Sequence, residues 1–220
     1  MAETNDISGI ILAGGRSSRL GKDKVFEVIG KETLIERAVR QLAELDELDE
    51  LIVVTSERVA PLLDAFRLRA RIVKDVHIGQ GPMGGLHAGL LAAGNDYSLV
   101  VACDLPFLNH DLLRYMIGLR RGYDMVVPRV SGMIEPLHAV YSKSCLPAIE
   151  RRLNEGRSMV YSLLEGVRVR FVEQEEVEKF DPKRLSFFNI NSTADIEKAR
   201  EMARDLTHDV KGFHEGGEKR

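Results

Sequence analysis

ISGIILAGGRSSRLGKDK, residues 7–24, is the stretch that decides the fold of this chain. Residues 7–13 form a short β-rich run, and Gly14 and Gly15 follow it directly. Residues without side chains let backbone N–H groups come close to an anion. Arg16, Arg19, Lys22 and Lys24 then place four cations within nine residues. Backbone donors that fix position, together with Arg and Lys that neutralise charge, are what a triphosphate requires. Two familiar phosphate loops are excluded. Five residues separate Gly15 from Gly21, and Asp23 rather than a hydroxyl residue follows Lys22, so this is not a P-loop. The third glycine of the dinucleotide fingerprint is misplaced as well.

Outward from this loop, apolar runs alternate with segments of helical period. Residues 33–45 carry Leu34, Ile35, Ala38, Val39 and Leu42 on one stripe. Strands are expected at 51–55, 71–74 and 97–102, with helices at 59–69 and 86–93 between them. The run at 97–102 lacks alternation, as a strand buried on both faces does. In the second half, strands are expected at 123–128, 137–141 and 167–172. Helices are expected at 146–153, 158–164 and 193–206, the last capped by Ser192 or Thr193. Repeated strand–helix units imply an α/β fold in three layers, with a mostly parallel central sheet and helices on both faces. Residues 1–206 read as one domain and 207–220 as a polar, flexible C-terminal tail. Ligands of such sheets sit beyond the carboxyl ends of the strands. The segments 12–24, 75–85 and 103–107 all fall there.

Composition bounds the function. The 220 residues are 44% hydrophobic and 30% charged, with a formal net charge of -3, so nothing argues for a general nucleic-acid binder, and a polyanion must be held by a local cluster of basic groups. The two cysteines make no disulfide framework and suggest a reducing, cytoplasmic setting. The apolar runs are too short to cross a bilayer, so no membrane partner is expected.

Asp104, in LVVACDLPF, stands just past a strand, where a carboxylate can hold a Mg²⁺ that bridges phosphate oxygens; Pro106 stiffens the turn. An Asp capping the next turn is the alternative. Cys103 beside it reads as a buried structural thiol. DVHIGQGPMGGLHAG holds Gly79, Gly81, Gly84, Gly85 and Gly89, either as a backbone lying flat against a base or as a connection that starts a helix. His77 and His87 read as surface or packing residues, since no Cys/His spacing supports a zinc site. His138 reads as a packing histidine or a donor to the acceptor. Asn189 and Asn191 alternate with Ile190 and can share one face of an extended segment.

Taken together, LAGGRSSRLGKDK, GPMGGL, ACDLPFL, the stretch 135–164 beginning EPLHAVY, and FFNINSTADIEKA at 187–199 resemble, in order, the signatures of the MobA-type molybdenum cofactor guanylyltransferases. The resemblance implies a Rossmann-related, GT-A-like nucleotidyltransferase fold and transfer of GMP from GTP to the phosphate of molybdopterin cofactor, with pyrophosphate released. It implies main-chain contacts to the nucleotide from Leu12, Ala13 and Gly14, with Gly15, Gly81 and Gly85 in the flanking glycine loops. Arg19 and Lys24 are expected on the phosphates as catalytic cations, Asp75 near the guanosine, and Asp104 on Mg²⁺. Asn189 and Asn191 are expected on the acceptor side, and cofactor-delivering proteins as transient partners. Thr55 stands where the family often has a nucleotide-contacting Asn, and Glu135 where Gln or Arg precedes the PL pair. Competing readings are a cytidylyl- or adenylyltransferase, a guanylyltransferase for adenosylcobinamide phosphate, a GTP-binding protein without chemistry, and a structural α/β module.

Overall fold

The computed structural model describes residues 7–14, 23–64, 66–77 and 79–214, the backbone alone for 207–214. Its centre is a sheet whose first strand, β1 (Ile7–Leu12), is buried along its whole length. Alternate residues of β1 serve opposite cores: Ile7 and Ile11 face one, Ile10 and Leu12 the other. That explains the near-continuous apolar run, since a strand covered on both faces has no polar side to show.

A single turn of 3₁₀ helix (Lys24–Phe26) precedes a hairpin of β2 (Val28–Ile29) and β3 (Glu32–Thr33). This hairpin was not anticipated. It turns at Gly30, whose φ of +70° lies in the left-handed region that glycine enters without strain. Helix α1 (Leu34–Ala43) follows at once, with Thr33 and Glu36 forming a reciprocal capping box. The expected stripe of Leu34, Ile35, Ala38, Val39 and Leu42 is its buried face. Then come β4 (Glu50–Thr55), α2 (Ala60–Asp64), β5 (Arg71–Lys74), α3 (Gly81–Ala92) and β6 (Tyr97–Ala102). Helix α2 is much shorter than the expected 59–69. The periodicity continues past Asp64, but Arg67 adopts φ +48°, which a helix cannot contain. Helix α3 begins five residues before the expected 86, with Pro82 in its first turn, where the missing N–H is not needed.

The second half holds α4 (His110–Gly118), β7 (Met125–Val130), β8 (Met133–Ile134), β9 (His138–Ser142), α5 (Leu146–Asn154), β10 (Val169–Glu173), α6 (Gln174–Val177) and α7 (Thr193–His214). Helix α4 was missed, although Asn109 caps it through the Leu112 amide at 2.9 Å. The expected helix at 158–164 is 3₁₀ over Val160–Glu165. Helix α7 runs through the expected boundary at 206 and is helical as far as His214, the last described residue. Ser192 caps it: its hydroxyl accepts from the Asp195 amide, and Asp195 accepts from the Ser192 amide and hydroxyl.

The strand order is β10-β7-β9-β6-β1-β4-β5, with β8 paired to β7. Strands β5, β4, β1 and β6 are mutually parallel. Strand β9 runs antiparallel to both β6 and β7, and β10 is parallel to β7. Reversing β9 brings its first residues, rather than its last, to the sheet edge where β1, β4, β5 and β6 end. Helix α3 reaches β1 through Gly89, where an added Cβ would stand 2.8 Å from Ile10 Cγ2. Among the described residues no helix is long and apolar enough to cross a membrane.

Candidate active site

At the carboxyl end of β1 the chain is held from two sides. The Leu12 carbonyl accepts from the Cys103 amide at 3.0 Å, and the Ala13 amide donates to the Val54 carbonyl at 2.8 Å. Thr55 is fully buried, and its hydroxyl donates to the Ala13 carbonyl at 2.9 Å. Its expected place among nucleotide contacts is therefore corrected: it clasps the backbone beneath the loop and presents nothing outward. Of the three residues expected to offer main chain, Leu12 and Ala13 are buried and Gly14 is exposed with open space around its Cα. Gly15, Arg16, Arg19, Gly21 and Lys22 lie outside the described residues.

Lys24, at the start of the 3₁₀ turn, is where three segments meet. Its ammonium donates to Asp104 Oδ2 at 2.9 Å and to Asn191 Oδ1 at 3.2 Å. Asp104 comes from the turn after β6, and Asn191 from the segment leading into α7. The Ile190 amide also donates to the Asp104 carbonyl at 3.1 Å, so backbone and side chain both tie the two segments. Ile190 is wholly buried, while Asn189 and Asn191 are exposed on the other side, as their alternation anticipated. Asp104 is doubly braced. Arg37 of α1 donates through Nε to the Pro106 carbonyl at 2.7 Å and lies over the Phe107 ring at 5.4 Å. On the other side of Lys24, Arg58 forks onto Asp23, Nη1 to Oδ2 at 2.7 Å and Nη2 to Oδ1. Arg37 and Arg58 were not identified from sequence; each is a lone Arg whose partner is distant in the chain.

One oxygen of Asp104 is left over. Oδ1 is buried without a hydrogen-bond partner among the described residues, while Oδ2 is taken by Lys24. A carboxylate with unused acceptor capacity suits a hard divalent cation, which prefers oxygen ligands. No group of three or more His, Cys, Asp or Glu that could hold an ion occurs among the described residues. Mg²⁺ rarely needs one, because it keeps several waters and takes substrate phosphate oxygens beside one or two carboxylates. The donor set fits that mode of binding.

The third segment places Asp75 directly after β5, facing the first turn of α3. Its amide donates to the Thr55 carbonyl at 2.8 Å, and its Oδ1 accepts from the His77 amide at 2.8 Å. A Cβ on Gly84 would meet His77 Cβ at 2.7 Å and Asp75 Oδ1 at 3.1 Å, so glycine is required for this approach. Gly81 is exposed, with φ +57°. Gly85 is buried, and a Cβ there would stand at ordinary contact distance from Leu12 Cδ2, 3.5 Å, and from Asp75 Oδ2, 4.0 Å.

Cys103 is buried, and burial together with the neighbouring Asp104 carboxylate holds its thiol well above the ordinary range, so it is no nucleophile. His138 is wholly buried against the Phe187 ring, with neither ring nitrogen hydrogen-bonded among the described residues. It does not reach the surface to meet a ligand.

The MobA-like NTP transferase domain matches residues 9–175. A probable molybdenum cofactor guanylyltransferase of Pelotomaculum thermopropionicum is 39% identical over 198 residues, which cover 90% of this chain and 94% of that protein. The molybdenum cofactor guanylyltransferase of Desulfosudis oleivorans is 36% identical over 195 residues, covering 88% and 94%. The crystal structure of molybdopterin-guanine dinucleotide biosynthesis protein A from Archaeoglobus fulgidus superposes with a TM-score of 0.78 at 28% identity, covering 90% of this chain and 99% of that one.

Proposed function

This chain belongs to the MobA-like NTP transferase family, and from that premise we propose that it transfers GMP from GTP to the phosphate of molybdopterin (molybdenum) cofactor, releasing pyrophosphate. The observation that carries the proposal is the junction at Lys24, where one ammonium touches both the metal-competent Asp104 and Asn191. A cation there lies between the loop that would hold a triphosphate and the segment that would hold the acceptor.

In this reading Gly14 and the loop after it receive the triphosphate, with Arg19 among its cations. Asp75 and Gly81 lie against the nucleoside. Asp104 would hold Mg²⁺, which would supply charge neutralisation on phosphate oxygens. The acceptor's phosphate oxygen is already anionic, so no general base is needed. It forms a bond to the α-phosphorus as the α–β bridging bond breaks, and pyrophosphate leaves with that electron pair. Lys24 stabilises the charge that grows during this exchange, a role that needs positioning more than covalent chemistry. Asn189 and Asn191 orient the acceptor. The two free, buried cysteines are in keeping with a reducing cytoplasm, where a delivering protein would hand over the acceptor.

The test is incubation with Mg²⁺, molybdopterin cofactor and each of the four nucleoside triphosphates in turn. Pyrophosphate release is followed, and the product is analysed by mass. Guanine dinucleotide formed from GTP is the expected result. Pyrophosphate released preferentially from CTP or ATP, or GTP bound without turnover, sinks the assignment.

A further inference from the structure

Outside the phosphate-handling residues lies a second line of polar side chains. His77 Nε2 stands 2.8 Å from His87 Nδ1, with the rings edge-on at 4.7 Å between centroids. His87 Nε2 stands 3.4 Å from Glu150 Oε1 on α5. His87 is buried in α3, where it could not leave either nitrogen unpaired without cost, whereas Glu150 is exposed. The three groups therefore run from solvent, through the buried face of α3, to the loop that carries Asp75.

The chemistry of the end group, with one proton on His87, sets the polarity of the whole line. An ionised carboxylate only accepts, so His87 must carry its proton on Nε2. With the His87 ring neutral, its bare Nδ1 accepts, and His77 donates to it from its own Nε2. His77 is bonded to the site at its other end: its amide donates to Asp75 Oδ1, and its Cβ rests where Gly84 leaves room for it. Fixing the His77 ring thus fixes the turn that aims the Asp75 carboxylate.

We propose that Glu150, His87 and His77 form a directed hydrogen-bonded chain that holds the Asp75 loop in its nucleotide-binding position. His87 and His77 are positioning residues, and the assignment of Asp75 to the nucleoside rests on the function proposed above. Such a chain acts on nucleotide affinity and leaves the reacting phosphates alone.

The experiment measures Kd for each Mg²⁺–nucleoside triphosphate by calorimetry, with KM and kcat for pyrophosphate release, in wild type, His87→Phe, His87→Gln and His87→Asn. Long-range ¹H–¹⁵N spectra of the imidazoles are recorded on the wild type. His87→Phe and His87→Gln remove the acceptor that His77 needs, and Kd and KM should rise about 5- to 20-fold with kcat within about twofold. His87→Asn can place its amide oxygen near the position of Nδ1 and should recover most of that loss. Residues that serve stability alone would lower Tm in all three variants and leave Kd unmoved. His77→Phe cuts the same bond from its more accessible end should His87→Phe not fold. The wild-type spectrum should show Nε2–H tautomers at both histidines. Unchanged Kd in folded His87→Phe, or an Nδ1–H tautomer at His87, overturns the proposal. Each ratio is read on whichever triphosphate the wild type prefers. A preference for another base therefore overturns the guanylyl assignment and leaves the result for the chain standing.

Discussion

Asp104 offers two oxygens and Lys24 occupies only one of them, which makes these residues separable in their effects. Asp104→Asn keeps the hydrogen bond from Lys24 but removes the charge a cation needs; Lys24→Met keeps the carboxylate but removes the ammonium. Each should lower turnover by about 10²–10³ in pyrophosphate release, with far-UV circular dichroism unchanged. Near-normal rates in Asp104→Asn would take the metal role away from this aspartate. His138 gives the opposite kind of prediction. Burial pushes its imidazole down to about 4, partly offset by the Asp181 carboxylate. The unfolded chain therefore binds a proton that the folded one refuses between about pH 6.5 and 4, and stability falls as pH falls through that window. His138→Phe removes two buried nitrogens that lack partners among the described residues. It should flatten the loss, which is on the order of 2–3 kcal/mol, in urea titrations at pH 4.5 and 7.

Among the elements, α1 and α3 meet the sheet in different ways. Helix α1 is set by its start, where Thr33 and Glu36 satisfy each other's backbone donors before Leu34 and Ile35 enter the core. Thr33→Ala should cost about 1 kcal/mol in urea unfolding, without moving KM for either substrate. Helix α3 is set by closeness. Gly89 lets it lie on β1 and β4, and a side chain there would press on Ile10 and Val54. Gly89→Val should destabilise by about 1–3 kcal/mol, read as a lower urea midpoint at constant m. The strand at 7–13, the stripe of α1 and the buried run at 97–102 were legible because period and burial belong to one segment of chain. The hairpin at β2–β3 was not, because two-residue strands carry too few repeats to show a period; helix α4 was passed over although Leu112, Leu113, Met116 and Ile117 recur at helical spacing. Their signals were local: Gly30 at the turn and Asn109 at the cap.

For the molecule as a whole, the far edge of the sheet is held by ion pairs that are sensitive to acid. Asp124 accepts from the Arg168 amide and guanidinium and from the Ser144 hydroxyl, and these bonds hold its carboxyl at about 2. Arg170 and Tyr115 hold Glu176 at about 2 as well. Both folded values lie below the unfolded ones, so this stabilisation is complete above about pH 4.5 and is lost as pH falls toward 2. Asp124→Asn should remove about 1–3 kcal/mol at pH 7 and shrink the acid-induced loss, measured by thermal melts from pH 7 down to 2.5. The sequence by itself determined the alternating α/β plan, the turn that presents Asp104, and the outward pair Asn189 and Asn191. Each of these follows from the side-chain period or turn chemistry of neighbouring residues. Only the tertiary structure decided which groups meet. Reversal of β9 within the sheet, the contact of Lys24 with Asn191, the use of the Thr55 hydroxyl on Ala13, and the pairing of His77 with His87 all depend on crossovers that bring distant segments to one edge. Periodicity reports which face of a segment is buried; it carries no information about the partner that buries it.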